Sequence, residues 1–212
     1  MHKNLQLKLS DTSLQIKKNL LDSLNHDCSF TIENFANMQR RFSTRNSYTS
    51  FVLVYYSLIS IINDLLPKFF VVSDKNLNVL EFFNVCASIV FFYFALQIGF
   101  ANYGSRSNKL SDIVAQLKFF TKQLKKYSET GISREQYKKL VNEYHELIET
   151  AEAVPRRDYY HTCQTLDSKR IYTYFTRYER IMIRIQIVSE LLLYIIVALV
   201  PVLLYLYIFL VK

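Results

Sequence analysis

Three stretches of this chain carry no charged residue for long enough to cross a bilayer, and they constrain the fold more than any other feature. They lie between Arg45 and Asp64, between Glu81 and Arg106, and between Glu190 and Lys212. A transmembrane helix needs about 20 mostly apolar residues. The second stretch reads FFNVCASIVFFYFALQIGFANYGS and the third LLLYIIVALVPVLLYLYIFLV. The first contains SFVLVYYSLISII before Asn63, Asp64, Pro67 and Lys68 interrupt it, and a buried core helix is its alternative reading. Spans are therefore expected over 48–66, 82–104 and 191–211. In lipid every backbone N–H and C=O must pair internally, so the spans read as helices. Tyr48, Tyr103, Tyr194 and Tyr207 stand near span ends, where amphipathic rings anchor at the interface.

Composition supports an all-helical chain. Only 3 Gly and 3 Pro occur in 212 residues, which argues against a turn-rich β protein and against a Gly-rich phosphate loop. The formal charge of +8 divides by position as +3 for 1–45, −1 for 46–105, +5 for 106–190 and +1 for Lys212. Basic residues flank the spans: Arg40, Arg41 and Arg45 before the first, Arg106 and Lys109 after the second, and Arg177, Arg180 and Arg184 before the third. By the positive-inside rule, the N-terminus and 105–190 face the cytoplasm, with a short outer loop at Ser73–Glu81 and the C-terminus outside. The charge thus reads as an orientation signal, and direct nucleic-acid binding is not expected. About 45 mostly polar residues precede any apolar run, so no cleavable signal peptide is expected.

The organisation expected is 1–46 as N-terminal cytoplasmic helices, 47–104 as a transmembrane hairpin, 105–190 as a cytoplasmic helical extension and 191–212 as a third transmembrane helix. Ser10 or Asp11 offers a cap for a first helix, and a second stretch from Phe30 approaches span one. Residues 109–150 read as a helical hairpin. Leu110, Ile113, Val114, Leu117, Leu124 and Tyr127 share one face, and Gly131 ends that helix. Ser133 with Gln136 forms a capping-box pattern, and Tyr137, Leu140, Val141, Tyr144, Leu147 and Ile148 continue the second helix. Pro155 is expected to end it. A further helix is expected from Asp167 or Ser168 toward span three, with Ile171, Tyr174, Phe175, Tyr178, Ile181 and Met182 on one face.

Little in the chain points to catalysis. Cys28, Cys86 and Cys163 form no close pair, and His2, His26, His145 and His161 lack a metal-binding spacing, so neither disulfide, metal nor cofactor is expected. Glu143, Glu146, Glu149 and Glu152 step by three along a helix and read as a solvated face paired with Lys138, Lys139 and Arg156. No enzyme is expected. The polar residues inside the spans are more informative. Ser50, Ser57, Ser60 and Asp64 cluster on one side of span one; Asn84, Ser88, Ala95, Gly99 and Asn102 do so on span two. Such a stripe either packs helices closely or, around an oligomer axis, lines a wet path. Both remain open at this level.

The order of these parts resembles the SLATT family, two-transmembrane effector domains that accompany bacterial nucleotide-signalling and other conflict systems. The resemblance is carried by Arg40-Arg41-Phe42 before span one, the short outer loop, Asn102-Tyr103-Gly104-Ser105-Arg106 leaving span two, and LVNEYHELIETAEAVPRRDY at 140–159. Tyr144 and the pair Asp158-Tyr159 match the family's extension, whereas Ala153-Val154 stand where members often carry Asn-His. The resemblance implies a pore-forming or membrane-disrupting effector that kills or arrests its host once triggered. It also implies a homo-oligomer, since three spans cannot enclose a channel. A helical unit containing Tyr137, Tyr144, Asp158 and Tyr159 would receive a cytoplasmic signalling partner, or a reverse transcriptase as in one three-span branch. The alternative is a non-conducting membrane anchor or sensor that recruits such a partner.

Overall fold

A computed structural model describes residues 2–69 and 74–210, with side chains from Lys18 onward other than those of Lys75 and Phe209. Ser73 of the expected outer loop and Lys212 lie outside the described residues. Among the described residues seven helices follow in order: α1 (His2–Phe69), α2 (Asp74–Ala101), α3 (Tyr103–Thr130), α4 (Arg134–Glu149), α5 (Arg156–Leu166), α6 (Ser168–Tyr174) and α7 (Arg177–Leu210). No strand occurs among the described residues. Three helical segments are long and apolar enough to span a membrane, as the uncharged stretches predict.

The N-terminal region departs from expectation. α1 runs without interruption through Ser10, Asp11 and Phe30. The reason is in the sequence: the first Pro is Pro67 and the first Gly is Gly99, so nothing breaks the backbone earlier. Helix α2 stops at Asn102, whose φ of 44° places it in the left-handed region that Asn tolerates better than most side chains. The helix of span two therefore ends at Ala101, and Tyr103 and Gly104 open α3.

The chain divides into two compact units. One comprises Met1–Arg40 with Arg106–Phe175, the other Arg41–Ser105 with Thr176–Lys212. Residues 176–190 thus belong with the membrane helices.

The first unit is a helical bundle built on amphipathic faces. Leu110, Ile113, Val114, Leu117, Phe120 and Leu124 are buried on α3, while Phe119 is turned 100° away and exposed. They pack in one unit with Leu21, Leu24, Cys28, Phe35 and Met38, all buried on α1. The turn after α3 forms as its residues dictate. Gly131 adopts φ 81°; the Ser133 hydroxyl accepts from the Gln136 N–H at 3.2 Å, and the Ser133 N–H donates to Gln136 Oε1 at 2.9 Å.

Beyond α4 the expected order changes. Helix α4 ends at Glu149 with Thr150 as its C-cap, and Pro155 is the N-cap of α5, so Pro155 starts a helix rather than ending one. Glu152 lies past α4 and off its acidic face; its carboxylate takes the Arg106 guanidinium, with Nε–Oε1 at 2.8 Å. The expected helix from Asp167 to span three is broken at Phe175, whose φ of −124° and ψ of 123° are extended. Ile171 and Phe175 are buried, whereas Tyr174, Tyr178, Ile181 and Met182 are exposed. The break has a local cause. Thr176 and Glu179 form a second capping box: Thr176 Oγ1 accepts from the Glu179 N–H at 3.2 Å, and the Thr176 N–H donates to Glu179 Oε2 at 2.9 Å.

The second unit is a three-helix membrane bundle. Its α1 seam is Arg45, Thr49, Val52, Tyr56, Ile59 and Asn63, which recur at alternating spacings of four and three. On α7 the residues Glu190, Tyr194, Val197, Pro201, Leu204 and Ile208 recur in the same way. Each α1 seam residue is buried except the half-buried Arg45; on α7 the same holds for Pro201 and Ile208, with the others half-buried. This seven-residue repeat keeps one seam of each helix facing its partner. α1 and α7 run parallel, since contacts join Arg45 to Glu190, Tyr48 to Tyr194, Tyr56 to Val197 and Asn63 to Tyr205. Helix α2 adds Phe83, Ala87 and Phe94 to the same core.

Candidate intramembrane site

Within the membrane unit, polar side chains tie the helices at three levels. Near the start of the spans, Arg45 of α1 forms an ion pair with Glu190 of α7, about a quarter of each side chain remaining exposed. The Arg45 guanidinium lies 5.7 Å from the centre of the Tyr103 ring, where a cation is attracted by the aromatic face. Thr49, Gln97 and Tyr93 complete a cavity of about 230 Å³ beside this pair. Tyr48 and Tyr194, both expected as interfacial anchors, stack on each other with centroids 4.8 Å apart.

Halfway along, the hydroxyl of Tyr56 donates to the Val197 carbonyl at 2.8 Å and that of Tyr55 to the Ala198 carbonyl at 3.1 Å. At the far end runs a chain of side-chain hydrogen bonds. Tyr205 donates to Asn63 Oδ1 at 2.6 Å, Asn63 Nδ2 to Asn84 Oδ1 at 2.8 Å, and Asn84 Nδ2 to Asp64 Oδ1 at 2.9 Å. These bonds link all three membrane helices through amide and carboxylate groups that lipid could not satisfy.

The stripe residues fall in two places. Asp64 and Asn84 meet in the hydrogen-bonded chain just described, joined by Asn63 and Tyr205, which the stripe did not include. Ser50, Ser88, Gly99 and Asn102 are exposed, and Ser57 and Ser60 are half-buried. Ser57 and Ser88 turn their hydroxyls back onto the carbonyls of Leu53 and Asn84, both at 2.8 Å. A Cβ built on Gly99 would meet no atom within 4 Å. The bulky residues Val52, Tyr56, Phe83 and Phe94 make the contacts inside the chain, so Ser50, Ser88, Gly99 and Asn102 of the stripe are left on an outer surface.

The residues singled out in the helical extension sit in the other unit, mostly inside it. Tyr144 is 8% exposed; its hydroxyl lies 2.7 Å from Thr31 Oγ1 and its ring stacks on Phe120. Burial raises its pKa, partly offset by the bond to Thr31. Asp158 is 1% exposed at the first turn of α5, where a carboxylate suits the helix N-terminus. Tyr159 meets Phe30 edge-on at 5.5 Å and also contacts Phe175, and Tyr137 is half-buried. Burial pushes the Cys28 thiol up to about 12, and Cys28, Cys86 and Cys163 are all free thiols. His161 is lowered below its ordinary value of 6.5 by burial and by Arg157, against the opposing pull of Asp158.

No curated protein and no solved structure matches the chain. A family model does: that of SMODS and SLOG-associating 2TM effector domain family 5 matches residues 17–207, which takes in both hairpin helices, the whole extension and nearly all of α7. With a helical hairpin in the membrane unit, a helical extension between its spans, and a match over most of its length, the chain is a membrane protein belonging to this SLATT family of effector domains associated with defence and conflict systems.

Proposed function

We propose that the chain is the membrane-permeabilising effector of a bacterial conflict system, acting as a homo-oligomer in the inner membrane. Its helical unit faces the cytoplasm, where a signalling enzyme or a reverse transcriptase triggers it. The observation that carries this reading is the outward stripe of Ser50, Ser88, Gly99 and Asn102, which the chain's own packing leaves uncovered. Polar side chains directed into lipid are unfavourable, whereas small residues allow a neighbouring helix to approach closely. Neighbouring copies are the partners that cover such a stripe, and closed rings are the usual result for identical subunits.

Gly99 makes the test clean. Because a Cβ there meets nothing within the chain, Gly99→Leu leaves the monomer's packing alone and blocks close approach by a neighbour. Triggered expression of the wild type should collapse the membrane potential and admit a normally excluded dye. Gly99→Leu and Ser88→Leu should accumulate to the same level in the membrane while the leak falls at least about tenfold, because a leucine side chain there holds a neighbouring helix away from close contact. A wild-type chain that is expressed under the triggering condition and leaves the potential unchanged would refute permeabilisation. It would leave the anchoring role, in which the helical unit still co-purifies with its partner.

A further inference from the structure

We propose that the proline of α7 is a built hinge which α1 closes through Tyr56, making the third helix a releasable strap across the membrane hairpin rather than a fixed wall. Pro201 has no N–H to give, so the carbonyl four residues earlier, that of Val197, loses its helical donor, and the ring pushes that carbonyl outward. In lipid such a group must find another partner. The hydroxyl of Tyr56 donates to that carbonyl at 2.8 Å, and the neighbouring Tyr55 reaches the next one, Ala198, at 3.1 Å.

Three further observations show that the pairing is placed and not incidental. Pro201 is fully buried while Val200 and Val202 beside it are 42% and 46% exposed, so the break faces the hairpin and not the lipid. Tyr56 is 4% exposed, and the 4-3 seams bring Tyr56 to the same layer as Pro201, just as Arg45 shares a layer with Glu190. Finally, α7 is poorly enclosed: among its described side chains from Glu190 to Leu210 only Pro201 and Ile208 are buried. A helix with so little buried surface is held by its few polar bonds, and the bond at the hinge is one of them. Kinks arise where a proline leaves such a gap, and a side chain that fills the gap decides whether the helix stays docked.

In this arrangement, loss of the Tyr56 bond leaves Val197 unsatisfied and favours bending of the segment beyond Pro201 away from α1. Release of that segment uncovers the far part of the hairpin face, around Ile59 and Phe83. The link from release to permeabilisation rests on the function proposed above; the hinge itself does not.

The test is a double-mutant cycle between Tyr56→Phe and Pro201→Ala in the full chain, reconstituted in lipid nanodiscs. Spin labels at Ile61→Cys and Leu206→Cys, both exposed positions, report the α1–α7 distance in a Cys86→Ala background. Tyr56→Phe should raise the undocked population about three- to tenfold, the range that intramembrane hydrogen bonds support. Pro201→Ala restores the missing N–H, so the double variant should return to the wild-type distribution. An unchanged distribution in Tyr56→Phe, or the same broadening with and without Pro201, overturns the hinge. Dye release from vesicles containing the same variants reads the separate link. Tyr56→Phe that undocks α7 without increasing release keeps the hinge and removes its role in permeabilisation.

Discussion

The two units of this protein are both helical bundles, yet they are held by different forces. In the bundle built from α3–α6 and the first part of α1, whole faces vanish from solvent: Leu117 and Cys28 are 0% exposed, and Phe120 and Met38 are 1% exposed. That is the hydrophobic effect acting through amphipathic surfaces. In the membrane unit, Leu191, Ile196, Leu199 and Leu203 of α7 all stay about half exposed, because lipid is as apolar as they are. What selects the arrangement there is a short list of polar ties from α1: an ion pair, two tyrosine-to-carbonyl bonds and an amide chain. The comparison teaches that apolarity orders the first unit, while in the second it only permits insertion and polarity does the choosing.

This contrast can be broken most directly in the core of the first unit. Phe120→Ala should destabilise the full chain by about 3–5 kcal/mol, the usual loss for truncating a buried aromatic. Denaturant unfolding in detergent, followed by circular dichroism, measures it. Leu203→Ala on the lipid face of α7 should change stability by no more than about 0.5 kcal/mol, as expected of an exposed site. Equal losses at the two positions would erase the distinction.

The next largest effect belongs to the ion pair. Arg45→Leu strands the Glu190 carboxylate in a partly buried place and should cost about 1–3 kcal/mol. The double variant Arg45→Leu/Glu190→Leu removes both charges and should recover most of that loss. Retention of full stability by the single variant would show that the tie is ornamental. Tyr144→Phe sharpens the other side: it removes the hydroxyl that meets Thr31 but keeps the ring on Phe120, so a loss of about 1 kcal/mol is expected.

The smallest effect is one of pH. His161 binds its proton less readily in the folded unit than in the unfolded chain. Above 6.5 both states hold it neutral and its contribution is intact; as pH falls through that value the unfolded state gains protons first and stability declines. A melting temperature that drops between pH 7.5 and 5.5, and drops less in His161→Gln, is the expected result. The opposite slope difference would place His161 beside a net negative environment.

Much of this was legible beforehand because it is local. The spans announce themselves by the absence of charge, and Gly131 with Ser133 and Gln136 marks a turn whose hydrogen bonds are confined to four residues. The turn before α7 carried the same signal in Thr176 and Glu179, and a reading attentive to that spacing would have ended the preceding helix at Phe175. Helix α5 is harder to foresee, since its buried residues Asp158, Tyr160, Thr162 and Cys163 present no apolar period. The 4-3 seams of α1 and α7 were hidden for a different reason. In a span where nearly every residue is apolar, a buried seam has no contrast with the lipid-facing side. Asp64 and Asn84 stand out by their polarity, but Tyr205 is separated from Asn63 by 142 positions and nothing local joins them.

The amide chain at the end of the spans has a sense as well as a membership. Tyr205 gives to Asn63, Asn63 to Asn84 and Asn84 to Asp64, and every proton along it points the same way because the last group can only accept while ionised. One carboxylate therefore sets the orientation of two amides on two helices. Exchanging Asp64 for Asn would keep the shape and remove the terminator, so that the row could run in either direction with similar energy. The three membrane helices would then be joined by a connection that no longer distinguishes one end from the other.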